Sequence, residues 1–299
     1  MSTTKGFPVW TENINGPRLT LEPLKVQLLK WVGNKQRFAE EIISYFPAKF
    51  NTYYEPFMGS GAIIASLAPR HGIGADGFRP LAQLWQQFEK DHKHLGRWYQ
   101  ERWKFFQHGD SKQQYEQIKA RYNKKPNPAD LLFLSRSCYG GVVRFRKTDG
   151  YMSTPVGPHK PIHPKSFLTR LNLWKQRLSK CQFIHSDFRE TMDLAERGDL
   201  IYCDPPYSDS QKILYGAQAF SLEELFDRVA DCKRRGVHVA LSLDGSKKSG
   251  KHQVHLKIPK SLFKKQLSIN CGRSMLKRFQ MHGRTLEKEV VADRLLLTY

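Results

Sequence analysis

Apolar side chains recur at helical spacing in residues 35–46, and Pro47 follows them. The apolar positions are Phe38, Ile42, Ile43 and Phe46. This spacing predicts an amphipathic helix that ends before the proline. Residues 1–30 show no such period and carry scattered prolines, so they predict an irregular N-terminal arm.

Short apolar runs alternate with turn residues in the next segment. Residues 52–54 and 72–75 predict two strands, with a helical run between them. The turn before that run contains Gly59 and Gly61, and Asp76 follows the second strand. Strand, glycine-rich turn, helix, strand and acid is the order of a nucleotide-binding βαβ unit.

A different pattern follows over residues 77–180. Residues 80–122 are helical in character but polar and rich in aromatic side chains. Residues 142–154 alternate around an Asp-Gly pair, which is typical of a tight hairpin turn, so they predict a basic β-hairpin. Its basic residues fall on one face of the first strand or at the tip: Arg144, Arg146 and Lys147.

Alternating strands and helices return after residue 180. Residues 182–185, 199–203 and 237–243 predict strands. Ser221 and Glu224 have the spacing of a capping box, which predicts a helix that continues to about residue 235. The pattern therefore predicts an α/β fold with an insertion at 77–180.

The charge of the chain indicates a polyanionic partner. The 49 Lys and Arg exceed the 28 Asp and Glu, which gives a formal charge of +21 and a pI of about 9.8. The excess is concentrated in residues 93–180 and 233–288, which favours two sides of a groove for a phosphate backbone. No apolar run approaches the roughly 18 residues of a membrane-spanning helix.

Cysteines and histidines predict neither disulfides nor a metal site. The five cysteines form no Cys-x-x-Cys pair, which is typical of reduced thiols in the cytoplasm. Two histidine pairs, His159 with His163 and His252 with His255, have no cysteine nearby, so solvated or phosphate-facing side chains are favoured over metal ligands.

The glycine-rich turn and Asp76 favour an adenosine-type cofactor. Glycines allow the backbone to approach a ligand closely, and a carboxylate at a strand end can accept both hydroxyls of a ribose. The turn by itself is equally typical of a tight strand-to-helix connection, because Ile64 occupies the position of a third glycine. A phosphate-binding Gly-Lys-Ser/Thr loop is absent from the sequence.

The segment Asp204-Pro205-Pro206-Tyr207 follows a predicted strand and suits a planar amine. Two prolines hold a rigid turn where doubly wound folds bind ligands. The Asp204 carboxylate and the Pro205 carbonyl can accept the two N–H groups of an aromatic amine, while Tyr207 stacks on the ring. Such acceptors stabilise the positive charge that develops on the nitrogen as it attacks an electrophile.

Three ordered motifs resemble those of the Dam-like, D12-class adenine-specific DNA methyltransferases. Residues 30–35 resemble the N-terminal cofactor motif of this family, residues 54–61 its glycine motif and residues 204–207 its catalytic motif. Residues 186–188 resemble an additional motif on the cofactor side. The resemblance implies that S-adenosylmethionine is bound by Trp31, Lys35, Glu55, Phe57, Gly59, Gly61, Asp76, Asp187, Phe188 and Asp204.

A fifth segment resembles the DNA-reading hairpin region of the family, over residues 135–157. Because the target base must leave the helical stack, Tyr139 is a candidate to fill the gap. The resemblance implies DNA contacts from Arg136, Tyr139, Arg144, Arg146 and Lys147. Ser135 and Gly140 stand where the family usually has asparagines, so the recognised sequence stays open.

These observations predict a Rossmann-like methyltransferase domain with its sheet formed by residues 31–76 and 181–299. By the family resemblance, the enzyme would methylate the N6 amino group of adenine in duplex DNA. Residues 77–180 would be an inserted, mainly helical target-recognition domain carrying a β-hairpin. A bacterial, archaeal or phage origin is expected, with or without a separate restriction endonuclease. The alternatives are methylation of cytosine or an RNA base at the amino group, and an inactive DNA-binding regulator.

Overall fold

The computed structural model describes residues 21–31, 33–146, 148–206, 220–247, 252–253, 257–259, 261–273 and 290–299. Two predicted site residues, Lys147 and Tyr207, lie outside the described residues.

Helices and strands alternate along the described chain. A 3-10 turn at Gln36–Phe38 leads into α1, and a second 3-10 turn lies at Tyr139–Gly141. The α-helices are α1 (Ala39–Ser44), α2 (Ala62–Leu67), α3 (Arg79–Gln107), α4 (Ser111–Lys124), α5 (Pro128–Ser137), α6 (Pro164–Arg177), α7 (Phe188–Asp193) and α8 (Leu222–Arg235). The strands are β1 (Tyr53–Glu55), β2 (Gly72–Asp76), β3 (Cys181–His185), β4 (Leu200–Cys203), β5 (His238–Lys247), β6 (His252–Gln253), β7 (Lys265–Arg273) and β8 (Val290–Leu297).

The strands form one mixed sheet in the order β3-β2-β1-β4-β5-β8-β7, with β6 paired to β5. The first five strands of this order are parallel, and β8 runs antiparallel to both β5 and β7. The strand order reverses between β1 and β4. Ligands of open α/β sheets bind at such a reversal, outside the carboxyl ends of the strands.

Alternating residues of the strands pack on the two faces of this sheet. Tyr53, Leu200 and Tyr202 belong to a large cluster with side chains of α1, α2, α3 and α6. Ile201 and Cys203 belong to a second cluster with side chains of α7 and α8. Strands β1 and β4, in the middle of the sheet, are buried along their whole length because helices cover both faces.

The helices of residues 77–180 share their hydrophobic core with the sheet. Trp85 of α3 stacks on Trp174 of α6 with ring centroids 5.9 Å apart, and it also contacts Phe183 of β3. These residues are part of the same buried cluster as Tyr53. The mainly helical character of the segment is confirmed, whereas its division from the catalytic domain at residues 76 and 181 stays a prediction.

The predicted β-hairpin is shorter than expected. Residues 142–154 reverse direction, and the Arg146 amide donates to the Tyr151 carbonyl over 2.9 Å, but they form only an isolated bridge between Phe145 and Met152. The Thr154 hydroxyl takes the place of a ladder partner, accepting from the Arg144 amide over 3.0 Å. The described residues therefore form a hairpin-like loop without regular strands.

The described part of the N-terminal arm is irregular, as predicted, and side chains hold it in place. Its carbonyl oxygens accept hydrogen bonds from residues of three helical elements. Gln36 donates to Leu24 over 2.6 Å, and Trp174 donates to Val26 over 3.0 Å. Residues 21–28 are thus fixed against the helical side of the molecule.

Candidate active site

The turn between β1 and α2 is held in a left-handed backbone conformation by Gly59 and Gly61, whose φ angles are +50° and +66°. A Cβ atom at Gly61 would lie 2.7 Å from Cε of Met58 and 3.1 Å from Cζ2 of Trp85. Glycine is therefore required at position 61 both by the backbone angle and by the packing. The Trp85 indole also donates to the Gly59 carbonyl over 3.0 Å.

Asp76 closes this turn from the end of β2. Its Oδ2 accepts from the Gly59 amide over 3.0 Å, and its Oδ1 accepts from the Phe78 amide over 2.8 Å. Burial raises the pKa of Asp76 to about 6, although both amide hydrogen bonds oppose that shift. The carboxyl is ionised near neutral pH and remains an acceptor for hydroxyl groups.

Glu55 lies deeper, at the end of β1, and is 2% exposed. Its Oε2 accepts from the Tyr53 hydroxyl over 2.9 Å and from the Ile64 amide over 2.8 Å. Burial raises the pKa of Glu55 to about 8, with a further contribution from the nearby carboxylates of Asp204 and Asp76. Glu55 is thus mostly protonated at neutral pH and fixes the start of α2.

The second loop of the site follows β4, whose residues are fully buried. Asp204, Pro205 and Pro206 follow the strand directly, and Nζ of Lys35 lies 3.0 Å from Oδ1 of Asp204. The same Nζ lies 3.3 Å from Oδ2 of Asp293 in β8. One ammonium group therefore lies between two carboxylates that come from separate strands.

Aromatic rings form another wall of the site. Phe57 stacks on Phe188 at a centroid distance of 5.2 Å, and Phe220 meets both rings edge-on at 5.8 Å. Asp187 caps α7 by accepting from the Arg189 amide over 2.9 Å. The sequence Asp187-Phe188 therefore places an acid and a ring side by side at the start of a helix.

These elements surround a single pocket of about 340 Å³. Of the residues implied to bind the cofactor, all but Gly61 line it, and so do Pro205 and Pro206 of the catalytic motif. The lining residues from this set are Trp31, Lys35, Glu55, Phe57, Gly59, Asp76, Asp187, Phe188 and Asp204. The structure thus brings together motifs that lie up to 175 residues apart in the chain, between Trp31 and Pro206.

Other residues of the site carry no sequence signal that distinguishes them. Phe78, Tyr202 and Phe220 line the pocket, and Asp293 contacts Lys35. Phe78 and Phe220 are single aromatics beside loops, and Tyr202 belongs to an apolar strand. Asp293 could not be predicted from the sequence because it is an isolated acid before a run of leucines. Pairing of strands in the sheet brings it near Lys35.

The predicted DNA contacts occupy different environments. Tyr139 is 40% exposed, and Arg144 and Arg146 are exposed on either side of the buried Phe145. Arg146 also pairs with Asp149 over 2.6 Å. The two arginines and the tyrosine are accessible to a large ligand.

Arg136 is placed differently from the prediction. It is 4% exposed, and its guanidinium donates to the Leu28 carbonyl over 2.6 Å and packs over the Phe167 ring. Burial lowers the pKa of Arg136 to about 10. The Arg136 side chain holds the N-terminal arm in place and does not face solvent. It is therefore not accessible to DNA in the way that the sequence predicted.

Comparison with protein families agrees with this geometry. The profile of the D12 class N6 adenine-specific DNA methyltransferases matches residues 31–282, which is most of the chain. The chain belongs to this family. The resemblance inferred from the motifs is therefore confirmed, and so is a methyltransferase fold built on a mostly parallel sheet.

Individual relatives are named as methyltransferases or methylases, two of them for adenine. The chain is 26% identical to a DNA N-6-adenine-methyltransferase of Escherichia phage P1 over 73% of its own length but only 30% of that protein. It is 29% identical to a DNA adenine methylase of Haemophilus influenzae, over 66% of the chain and 67% of the relative. It is 26% identical to the Type II methyltransferase M1.LlaDCHI of Lactococcus lactis subsp. cremoris, over 73% and 80%.

Membership of the D12 class bears on two of the alternatives left open by the motifs. The family acts on N6 of adenine in DNA, which disfavours cytosine and RNA as the target. Among the described residues, no helix is long and apolar enough to cross a membrane. The same part of the chain holds no group of three or more His, Cys, Asp or Glu side chains arranged for a metal ion.

Proposed function

We propose that this D12-class chain transfers a methyl group from S-adenosylmethionine to N6 of an adenine that has been rotated out of duplex DNA. The observation that carries the proposal is the shared pocket. The glycine turn with Asp76 and the Asp204-Pro205-Pro206 corner line one cavity at the reversal of strand order. Cofactor and target base can therefore meet in one place.

The residues of the pocket fit S-adenosylmethionine. Asp76 offers a carboxylate to ribose hydroxyls, and the Phe57–Phe188–Phe220 wall offers apolar surface to an adenine ring. Carboxylates outnumber the one lysine among the lining residues, which suits a ligand that carries a sulfonium and an ammonium group. Trp31 and Lys35 would contact the cofactor from the N-terminal side.

Asp204 and Pro205 provide acceptors for the target amine. The lone pair of an adenine amino group is delocalised into the ring, so the nitrogen is a weak nucleophile. Hydrogen bonds from its two N–H groups to the Asp204 carboxylate and the Pro205 carbonyl stabilise the positive charge that develops as the nitrogen attacks. The two prolines fix both acceptors before the base arrives, which lowers the entropy cost of the reaction.

When bound, S-adenosylmethionine supplies a methyl group on a positively charged sulfur, which needs no further activation. In the transfer, a nitrogen–carbon bond would form as the carbon–sulfur bond breaks, and the electron pair of the broken bond would stay on sulfur. The methylated nitrogen then loses one proton, and the carboxylate of Asp204 is placed to accept it or to pass it to solvent. Tyr207, which lies outside the described residues, would stack on the base.

DNA would bind beside this pocket through Tyr139 and the loop of residues 142–154. Tyr139 is held at the surface by two following glycines, Gly140 and Gly141, whose φ angles are +64° and +67°. Its amide donates to the Pro155 carbonyl over 2.8 Å. A ring presented on so fixed a turn is suited to fill the gap left by an extruded base. Arg144 and Arg146 would contact phosphates, together with Lys147.

The biological setting follows from the substrate. Double-stranded DNA is the proposed partner, and a cytoplasmic location in a bacterium, an archaeon or a phage-infected cell is proposed with it. The relatives named above come from bacteria and a phage. One of them is named as a Type II methyltransferase, so a restriction endonuclease that acts separately is compatible with the proposal.

The activity can be tested by transfer of tritiated methyl groups to unmethylated plasmid DNA, with total RNA as the competing substrate. We expect incorporation into DNA as N6-methyladenine and none into RNA. Asp204→Ala should abolish transfer while DNA binding persists. Asp231→Ala serves as the control, because Asp231 pairs with Arg234 and Arg235 of its own helix α8 and is not among the described residues that line the pocket.

Three results would overturn this assignment. Absence of incorporation into both nucleic acids would contradict the methyltransferase activity. Incorporation into RNA alone would assign a different substrate, and undiminished transfer by Asp204→Ala would remove Asp204 from catalysis. If DNA is methylated as expected, sequencing that maps methylated adenines in a host expressing the chain would identify the recognised site.

A further inference from the structure

We propose that Asp293 is a positioning residue for methyl transfer, which acts through Lys35 on the catalytic carboxylate of Asp204. This inference rests on the proposed function and adds a residue outside the motifs of the pocket. It follows from the ammonium group of Lys35, whose Nζ lies 3.0 Å from Asp204 and 3.3 Å from Asp293.

The fold places the two carboxylates on the same face of the sheet. In β8, Leu295 and Leu297 belong to the cluster on the face of α1 and α2, whereas Leu296 belongs to the opposite cluster. Asp293 has the same parity as Leu295 and Leu297, so it points to the first face. Asp204 continues the parity of Leu200 and Tyr202, which belong to that first cluster as well.

Strand β5 separates the two acids. The sheet order is β4-β5-β8, so one strand lies between the two acids, and the side chain of Lys35 spans that distance to contact both. Lys35 precedes the 3-10 turn Gln36–Phe38, and its side chain is 5% exposed. The side chain of Lys35 therefore links β8, which contains Asp293, to the turn after β4, which contains Asp204.

Because the carboxylates of Asp204 and Asp293 are mostly buried, the way in which their charges are paired affects stability. The side chains of Asp204 and Asp293 are 17% and 12% exposed. Buried charges have to be paired, and a carboxylate beside an apolar strand lowers stability unless it contributes elsewhere. Replacement of a buried ion pair by well-packed apolar side chains is often neutral or stabilising in proteins, so packing alone does not explain an acid at position 293.

Sharing one cation between two carboxylates preserves the ability of Asp204 to accept a hydrogen bond. A lysine paired with Asp204 alone would neutralise it and compete with the adenine amine for its oxygen atoms. Asp293 attracts the same ammonium, so the group of three retains one net negative charge. The second carboxylate also holds Lys35 in place when Asp204 turns to the substrate, which keeps the charge near the reacting nitrogen.

Asp293→Asn tests this role because it removes the charge and keeps the shape. We expect kcat for methyl transfer to plasmid DNA to fall on the order of 10- to 100-fold, by analogy with residues that orient the ligands of metal sites through a hydrogen bond. The KM for S-adenosylmethionine and the affinity for DNA should change little. Asp293→Glu, which keeps the charge, should recover part of the lost kcat.

Asp199→Asn is the matched control. Asp199 is a buried acid at the amino end of β4, where it accepts from the Thr52 and Glu196 amides over 2.9 and 2.8 Å. Its substitution should lower the melting temperature and leave the kcat of the folded protein unchanged. If Asp293→Asn does not fold, Asp293→Ser removes the same charge with a smaller side chain and carries the same expectation.

A double-mutant cycle separates action through Lys35 from a merely structural effect. In the Lys35→Gln background, Asp293→Asn should lower the single-turnover rate no further, because the group through which it acts is gone. An unchanged kcat in Asp293→Asn, or equal losses in both backgrounds, would overturn the inference. Inactivity of the wild-type protein on DNA and on RNA would instead overturn the proposed function, so the two failures are distinguishable.

Discussion

The amide of Gly59 donates to Oδ2 of Asp76 over 3.0 Å, so the glycine turn after β1 and the acid at the end of β2 are joined. Asp76 accepts this bond and a second one from Phe78, which leaves the carboxylate fixed at the edge of the pocket. The glycine turn, whose backbone would approach the cofactor, and the acid proposed to bind its ribose are therefore held together as one unit.

Cofactor affinity should fall in acid because of this carboxyl. The pKa of Asp76 is raised to about 6 by burial, and only the ionised form accepts hydrogen bonds from both ribose hydroxyls. The affinity for S-adenosylmethionine should be constant near pH 8 and should weaken below about pH 6, by up to about tenfold per pH unit. Calorimetric titration between pH 5 and pH 8 measures this.

Asp76→Asn provides the control for that titration. The amide has only one oxygen for two backbone donors, so the affinity at pH 8 should already be lower, by about 1–3 kcal/mol. Its dependence on pH between 5 and 7 should disappear. A wild-type affinity that stays flat over this range would show that Asp76 does not bind the cofactor as an anion.

The stability of the protein should depend on the protonation of Glu55. Its pKa in the fold, about 8, lies above the ordinary value of 4.5, so folding favours the protonated form. That contribution is fully present below about pH 4.5 and is lost as the pH rises through 8. Glu55→Gln keeps both hydrogen bonds and should therefore raise the melting temperature at pH 8, by an amount that corresponds to a few kcal/mol at most.

At pH 5 the same substitution should change the melting temperature little, because Glu55 is then protonated in the folded state. Thermal denaturation of both proteins at the two pH values tests the prediction. Equal shifts at both pH values would mean that the carboxyl of Glu55 does not titrate with the raised pKa.

Alanine at Gly61 should cost more stability than alanine at Gly33. Both residues have positive φ angles, +66° and +78°. The left-handed backbone alone costs about 1–2 kcal/mol for an alanine. A Cβ at Gly61 would also meet Met58 and Trp85, whereas nothing lies within 4 Å of a Cβ at Gly33. Gly61→Ala should also weaken cofactor binding, because its turn carries Gly59.

Denaturant unfolding of the two alanine variants measures the difference between the sites. An additional cost of about 1–3 kcal/mol is expected at Gly61, the usual range for overpacking. Equal losses at the two positions would show that the Met58 and Trp85 side chains move aside freely.

Charge reversal of Arg144 and Arg146 should weaken DNA binding in a way that depends on salt. Both side chains are exposed, and each phosphate contact that is lost should reduce the slope of log affinity against log salt by about 0.9. Arg228→Glu on α8 is the control, because this arginine pairs with Asp193 and lies outside both basic segments, 93–180 and 233–288. Filter binding at several salt concentrations gives the slope, and an unchanged slope would refute the loop as a DNA contact.

Much of the architecture could be predicted from the sequence because it depends on local patterns. The period of residues 35–46, the glycine turn and the capping pair Ser221 and Glu224 each act within a few residues. The structure confirms α1, α2 and the Ser221 cap, whose side chain accepts from the Glu224 amide. The motif order also predicted the family, which the match over residues 31–282 confirms.

The long insertion was predicted less completely. Its helical character was predicted but α6 was not, although Phe167, Leu171 and Trp174 have the spacing of an amphipathic helix. The alternation of residues 142–154 predicted which side chains are exposed but not the absence of regular strands. There, the Thr154 hydroxyl bonds to the Val142 carbonyl and the Arg144 amide, and replaces part of the expected ladder.

By itself, the sequence determined the strands, the turns and the residue types that suit an adenosine cofactor and an aromatic amine, because these follow from contacts between neighbours in the chain. Only the tertiary structure decided which charged groups meet. Arg136 is buried against the arm, and Asp293 shares the Lys35 ammonium with Asp204. Such contacts depend on strand order and on which face each side chain occupies, and both are set by the packing of segments more than 100 residues apart.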